Sequence, residues 1–378
     1  MDAIKAFIAE NKAYAYQTLK ELCLIPAPSH HEEKRAEYCK EWLVKNGAND
    51  VYIDEALNVI FPLNCDGSNS ITVFAAHTDT VFPDTSPMPY YEDDEKIYCP
   101  AVADDTASVV VVLMMAKFFI QEKICPPNGI MFVCNSCEEG LGNLKGARKL
   151  FEDYNDRIKQ FITFDSNLDI INDVCVGSHR YEVEVLTEGG HSFEAFGNEN
   201  AIACLSNIVS SIYSIRVPEF NGSRTTYNVG SISGGTSVNT IAQSAKMFCE
   251  YRSDNKQCMD IMQKKFEEIF EAFNTEKTQV KVTKIGERPC ADIDVSKVEQ
   301  LKRAVVPIVE RVIGEKVSFR SASTDCNIPL SLGVPALCVG ANMHEGIHTR
   351  EECMEKASLL TGIEVAVNIA LSLCAEEN

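Results

Sequence analysis

Between residues 70 and 176, short apolar runs alternate with longer stretches of helical spacing. SITVFAA (70–76), GIMFVC (129–134) and KQFITF (159–164) have strand length, while TASVVVVLMMAKFFI (106–120) and GARKLFEDY (146–154) repeat as helices do. That alternation predicts a parallel or mixed α/β sheet. After Gly177 the texture changes. YEVEVLTEGG (181–190), KMFCEYRSD (246–254) and KTQVKVTKI (277–285) alternate apolar with polar residues, which suits an antiparallel sheet with one wet face, and ENAIACLSNIVSSIYSI (199–215) between them has helical spacing. From about residue 290 the α/β texture returns, with VSKVEQLKRAVVPIVERVIG (295–314) as a helix and PALCVG (335–340) as a strand. The simplest architecture is an α/β domain over 1–176 and 290–378, interrupted by an α+β insert over 177–289. There is no internal repeat and no low-complexity segment.

Residues 344–348 read HEGIH, the letters of a helix-borne zinc protease motif. Two histidines one turn apart grip one ion only on a helix, and here Gly346 lies inside the motif while a strand-like run ends at Gly340 just before it. The helix is expected later. Thr349 and Glu352 have capping-box spacing, and Met354, Ala357, Leu360, Ile363, Val367 and Leu371 follow at helical intervals. HEGIH is therefore expected in a loop.

Composition narrows the function. The chain has 378 residues, 45% of them hydrophobic, and a formal charge of -20, which argues against nucleic acid or an anionic membrane as partner. The opening MDAIKAFIAENKAYAYQTLKELC has no apolar leader region, and no later run offers eighteen uncharged apolar residues, so a soluble, cytoplasmic protein is expected. Sixteen cysteines scattered through apolar runs read as reduced, mostly buried thiols.

Polar residues collect just past the strand ends: His77 and Asp79 in HTDT, Glu138 and Glu139 in NSCEEG, Asp165 after KQFITF, and His344 and His348 after PALCVG; Asp104 and Asp105 open a helix. Ligands of open α/β sheets bind outside the carboxyl ends of the strands, so these groups are expected to share one site. Each alone has an ordinary reading as a dipole partner or solvated loop charge. Together, mutually repelling carboxylates with two imidazoles call for a cation, and mixed nitrogen and oxygen donors favour zinc over calcium or magnesium.

The ordered series HTDT (77–80), ADDTAS (103–108), EEGLGN (138–143), FDS (164–166), GGHSFEAFGNENAI (189–202), GGTSVNTIA (234–242) and HT (348–349) resembles the dinuclear zinc peptidase and deacylase family of peptidase T, glutamate carboxypeptidase, aminoacylase, acetylornithine deacetylase and succinyl-diaminopimelate desuccinylase, with the glycine-rich stretches nearest the peptidase T branch. The resemblance implies a mixed-sheet catalytic domain with a ferredoxin-like lid and dimerisation domain inserted, two Zn2+ ions (Co2+ or Mn2+ as substitutes) and a homodimer. It implies that Asp104 bridges the ions, with His77 and Asp165 on one and Glu139 and His348 on the other. Glu138 would be the general base, Asp79 would orient His77, and the Asp104–Asp105 peptide would be cis. His191 would reach the partner's site and stabilise the oxyanion, Asn239 would contact substrate, and Arg252 would hold a substrate carboxylate, although it also reads as an ordinary strand-face arginine.

Some positions depart from the family pattern. Thr106 stands where many members have lysine, Cys137 where glycine or aspartate is usual, and Pro100 where glycine is common. Cys134 and Cys137 form a C-x-x-C without a second ligand pair and read as structural thiols. Ser29 with Glu32 reads as a helix cap, with His30 and His31 as exposed neighbours. The expected activity is that of a zinc exopeptidase acting as an aminopeptidase on short peptides; the rivals are an N-acyl amino acid amidohydrolase using the same site and a metal-binding protein without turnover.

Overall fold

The computed structural model of the protein describes residues 2–375. The chain divides into two compact units, Met1–Cys175 with Asp292–Asn378 and Val176–Ala291.

The first unit opens with helices α1 (Asp2–Cys23) and α2 (Glu33–Lys45). Strands β1 (Tyr52–Ile53), β2 (Val59–Leu63), β3 (Ile71–His77), β4 (Tyr91–Glu92) and β5 (Lys96–Tyr98) follow, then an irregular turn over Val102–Thr106, helix α3 (Ala107–Gln121), β6 (Gly129–Asn135), α4 (Lys145–Tyr154), β7 (Ile158–Phe164) and β8 (Ile170–Cys175). Every residue of β3 and β6 is buried, as their unbroken apolar runs require of strands covered on both faces.

The second unit comprises β9 (Gly177–Thr187), β10 (Gly190–His191), α5 (Ala201–Tyr213), β11 (Thr225–Gly234), β12 (Thr240–Ile241), β13 (Ser244–Ser253), α6 (Lys256–Ala272) and β14 (Thr278–Arg288). Its four long strands make an antiparallel sheet in the order β11-β13-β9-β14, the split β-α-β arrangement of a ferredoxin-like fold. Val183, Val185, Met247, Cys249 and Tyr251 alternate into a core with Leu205, Ile208, Met262 and Phe266 of the helices. Asn200 and Asn255 cap α5 and α6 through their side chains. Helix α6 and strand β11 went unpredicted, although Cys258, Met259, Met262, Phe266 and Phe270 give α6 a plain helical stripe.

The chain then returns to the first unit as α7 (Val295–Ile313), β15 (Ser318–Ala322), α8 (Asn327–Ser331), β16 (Ala336–Val339), β17 (His344–Glu345), β18 (Cys353–Glu355) and α9 (Lys356–Ala375). The main sheet has eight strands in the order β1-β2-β6-β3-β7-β16-β8-β15, and it is mixed: β6, β3, β7 and β16 run parallel, β2 pairs antiparallel with β6, and β8 antiparallel with β16. A smaller sheet joins β17, β18, β5 and β4. Helix α9 is long and apolar enough to cross a membrane, with mean hydropathy 1.7, yet it packs against α1, α3 and α7 as a core helix.

One expectation is corrected here. The terminal helix begins at Lys356, not at Thr349, because Cys353–Glu355 is drawn into the small sheet against β5. The Thr349 hydroxyl instead donates to Gly346 O at 2.6 Å, closing the turn after HEGIH. HEGIH itself is a two-residue strand and a turn, as Gly346 with its φ of +71° demands.

Candidate metal centre

The parallel strands β3, β6, β7 and β16 point their carboxyl ends the same way, and the polar residues beyond those ends meet. His77 closes β3 with its ring buried. Its Nε2 lies 3.1 Å from Asp104 Oδ1, and its Nδ1 is 3.3 Å from Asp79 Oδ1 and 3.1 Å from Asp79 O. Asp79 is itself held from three sides: its Oδ1 accepts from Glu138 N, and its Oδ2 from Glu139 N and the Ser29 hydroxyl, at 2.9, 2.9 and 2.6 Å. Burial alone would raise the Asp79 pKa, but the His77 ring and these donors hold it below the usual carboxylate range. One carboxylate thus orients an imidazole and fixes the backbone of the two glutamates.

Asp104 lies in the irregular turn, joined to Asp105 by a cis peptide. Its Oδ1 faces His77 and its Oδ2 lies 2.9 Å from His348 Nε2, which is also 3.1 Å from Glu139 Oε1. A single carboxylate therefore stands between both imidazoles, the position of a bridging ligand. Asp165, at the end of β7, gathers with His77 and Asp105 into a second group of donors; in this group and in that of His77, Asp104 and Glu139, the ligand atoms lie within 4.8 Å of one another. Asp105 accepts from His77 N at 2.9 Å through Oδ2, while its buried Oδ1 has no hydrogen-bond partner among the described residues.

The electrostatics show what the cluster lacks. Burial, then the Asp104 charge, pushes the Asp165 carboxyl well above its ordinary range and that of Glu139 up to about 7. Hydrogen bonds to Asp104 and Glu139 push the His348 imidazole up to about 11. These are carboxylates repelling one another and a ring conscripted as their counter-ion, so positive charge at this spot is strongly favoured. Two imidazole nitrogens with carboxylate oxygens, and an orphaned carboxylate oxygen beside them, fit divalent transition ions.

The other sequence-derived candidates fall as follows. Glu138 is buried beside Glu139. His344 has its Nδ1 2.8 Å from Asn342 Oδ1 and belongs to neither donor group. In the second unit, His191 and Asn239 come together on the β10–β12 ribbon, where Ser192 N donates to Asn239 O at 3.0 Å. Arg252, on β13, places its fork on Glu250 with Nε to Oε1 at 2.8 Å and Nη2 to Oε2 at 3.0 Å. Among the described residues no disulfide joins any of the cysteines. Cys134 faces the core, whereas the Cys137 thiol donates to Glu32 Oε1 at 3.2 Å.

Three residues read as caps have other work. Ser29 and Glu32 do not cap α2: Glu32 makes no side-chain cap bond, is fully buried, and accepts from Cys137 N at 3.0 Å, while Ser29 binds Asp79. Glu352 is buried and accepts from Ala101 N, Ala103 N and Asp104 N at 2.9, 2.8 and 3.1 Å, so it cradles the turn that carries the bridging carboxylate. Its capping-box spacing masked that role. Asp325, whose Oδ2 accepts from Asn135 Nδ2 at 2.5 Å, carried no sequence signal at all.

Known proteins share this fold. Residues 73–372 match the model of peptidase family M20/M25/M40. A peptidase M20 domain-containing protein of Schizosaccharomyces pombe is 25% identical over 232 residues, 60% of this chain and 54% of the relative, so the match spans about half of that relative's length. Among solved structures, a tripeptidase from Staphylococcus aureus superposes with a TM-score of 0.76 at 24% identity, covering 95% of this chain and 97% of that one. Aminopeptidase PepT from Bacillus cereus gives 0.74 at 22%, covering 96% and 98%, and human carnosine dipeptidase 1 gives 0.72 at 15%, covering 99% and 100%. These likenesses carry the fold, and the family match over most of the sequence carries the assignment: the chain belongs to peptidase family M20/M25/M40.

Proposed function

We propose that the protein is a dinuclear metal-dependent exopeptidase that hydrolyses the amide bonds of short peptides. The observation that carries this reading is Asp104 standing between His77 and His348, with Glu139 beside His348 and with Asp165 gathered around His77 together with Asp105. His77, Asp104 and Asp165 would hold one ion, and Asp104, Glu139 and His348 the other, with zinc favoured over cobalt or manganese by the donor mixture. Bound there, the ions supply Lewis-acid polarisation of the substrate carbonyl and acidification of a water.

The remaining chemistry belongs to the chain. Glu138, buried next to the ligands, takes the proton of the attacking water and returns it to the leaving nitrogen. Asp79 holds His77 Nδ1, so that Nε2 is the nitrogen free to ligate. On His191, Nδ1 accepts from Phe193 N at 3.3 Å, which leaves Nε2 as the ring's donor toward an oxyanion developing in the site of a partner subunit. Asn239 beside it contacts substrate, and Arg252 holds a substrate carboxylate by exchanging Glu250 for it. The inserted unit pairs two subunits in this reading, and the free thiols support work in the reducing cytoplasm.

The test is metal analysis of the purified protein joined to turnover of di- and tripeptides and N-acyl amino acids. Two ions per chain with peptide cleavage are expected, and Glu138→Gln is expected to keep both ions while losing at least about a hundredfold in kcat. Cleavage by Glu138→Gln at the wild-type rate would overturn the mechanism, and turnover of N-acyl amino acids alone would move the assignment to a deacylase.

A further inference from the structure

Helix α2 contributes no candidate ligand, yet it sends one charged side chain under the metal centre. Arg35 is 1% exposed. Its Nε donates to Ile25 O at 2.8 Å, and its Nη1 donates to Thr78 O at 3.0 Å and to Thr106 Oγ1 at 3.1 Å. Thr78 lies between His77 and Asp79, and Thr106 follows Asp104 and Asp105. The Thr106 hydroxyl passes the link to Ala101 O, at the start of the same turn, at 2.5 Å. Thr78 passes it on as well, through N and Oγ1 to Asn135 O at 2.7 and 2.9 Å, at the end of the strand that precedes Glu138 and Glu139. One guanidinium thereby ties together the three loops that carry His77, Asp104, Glu138 and Glu139.

The cost of placing it there is plain. Nη2 is buried and has no hydrogen-bond partner among the described residues. Burial works against the charge, and the groups facing it are the thiols of Cys23, Cys39 and Cys99 and the carboxylate of Asp79. A cation with an unmet donor in a core is kept only where its charge or its geometry is needed. Five carboxylates of the site lie on the loops that it clamps or beside them, and a fixed positive charge behind them lowers the repulsion that each adds to the others.

We propose that Arg35 is a positioning residue of the metal centre, a buried cation that sets the spacing between the His77 loop and the Asp104–Asp105 turn and so tightens divalent-ion binding. This rests on reading the cluster as a metal site. The test titrates Zn2+ into chelator-treated protein by calorimetry, with near-ultraviolet circular dichroism and melting to follow the fold. In Arg35→Met, which removes charge and donors at similar length, Zn2+ affinity is expected to fall about tenfold or more. Arg35→Lys, which keeps the charge, is expected to recover part of that loss, and Thr106→Val, which keeps Arg35 and removes one acceptor, to weaken binding severalfold.

A merely structural arginine would lower the melting temperature of Arg35→Met and leave Zn2+ affinity unchanged, and that result overturns the proposal while leaving the metal site intact. A wild-type protein that takes up no ion removes the site and the proposal together. Should Arg35→Met fail to fold, Arg35→Lys and Thr106→Val decide, and wild-type Zn2+ affinity in both overturns the role.

Discussion

At His348 the backbone takes a left-handed turn, φ +64°, which a non-glycine residue adopts at a cost of about 1 kcal/mol, and the ring so aimed meets Asp104 and Glu139 although half of it faces solvent. Removing it should therefore matter more than its exposure suggests. His348→Ala is expected to lose one of two bound ions, whereas His344→Ala, whose ring binds Asn342, is expected to keep both; metal stoichiometry after dialysis measures each. Glu352 gives a second residue-level prediction. Glu352→Ala leaves three backbone N–H groups unmet, two of them buried, so a loss of roughly 3 kcal/mol is expected in denaturant unfolding, while Glu352→Gln, which keeps Oε1 as an acceptor, should lose less. The candidate ligands were legible because they stand at strand ends in short, recurrent strings. Glu352, Ser29, Glu32 and Asp325 were not, because a side chain that braces a loop from far along the chain leaves no local pattern, and at Glu352 a spurious local pattern competed with the real one.

Elements packed backbone to backbone rely on glycine. Gly362, on α9, lies so close to Ala341 that an added Cβ would meet its carbonyl oxygen at 1.8 Å, and Ala341 belongs to the segment running from β16 to His344. Gly362→Ala is expected to cost about 2–3 kcal/mol or more in thermal unfolding, since the contact is with backbone that cannot rotate away. At this scale most of the sequence reading transferred: SITVFAA, GIMFVC, KQFITF and PALCVG are β3, β6, β7 and β16, and TASVVVVLMMAKFFI is α3. Buried strands and helices announce themselves by apolar continuity. Helix α6 was missed despite its plain stripe, and the other failures were elements whose residues answer to tertiary partners. Cys353–Glu355 reads as the first turn of a helix and becomes a strand because β5 lies beside it, and β11, with most of its residues exposed, lacks the apolar run that would have marked it.

For the molecule as a whole, the buried carboxyls dictate how the metal-free protein responds to pH. Burial raises Glu139, Asp325 and Glu352 to about 7 from ordinary values near 4, so the folded state holds protons that the unfolded state has released. Their contribution is fully present below about pH 4 and is lost as pH rises toward 7. The melting temperature of chelator-treated protein is therefore expected to fall between about pH 4 and 7, and saturating Zn2+ is expected to reduce that slope; a rising or flat profile without metal would contradict the assignment. The order of the main sheet has a further consequence, for synthesis. Strand β8 lies between β16 and β15, and β7 borders β16, yet β16 and β15 come after the whole of Val176–Ala291. At translation rates of about 5–20 residues per second, the nascent chain spends on the order of ten seconds with β8 and the β16-facing edge of β7 emerged and unmatched. The inserted unit, whose strands are consecutive, meets no such delay. The ribosome therefore finishes the accessory piece first, and the half-built sheet is the stage at which a cell must shield this protein from its own copies.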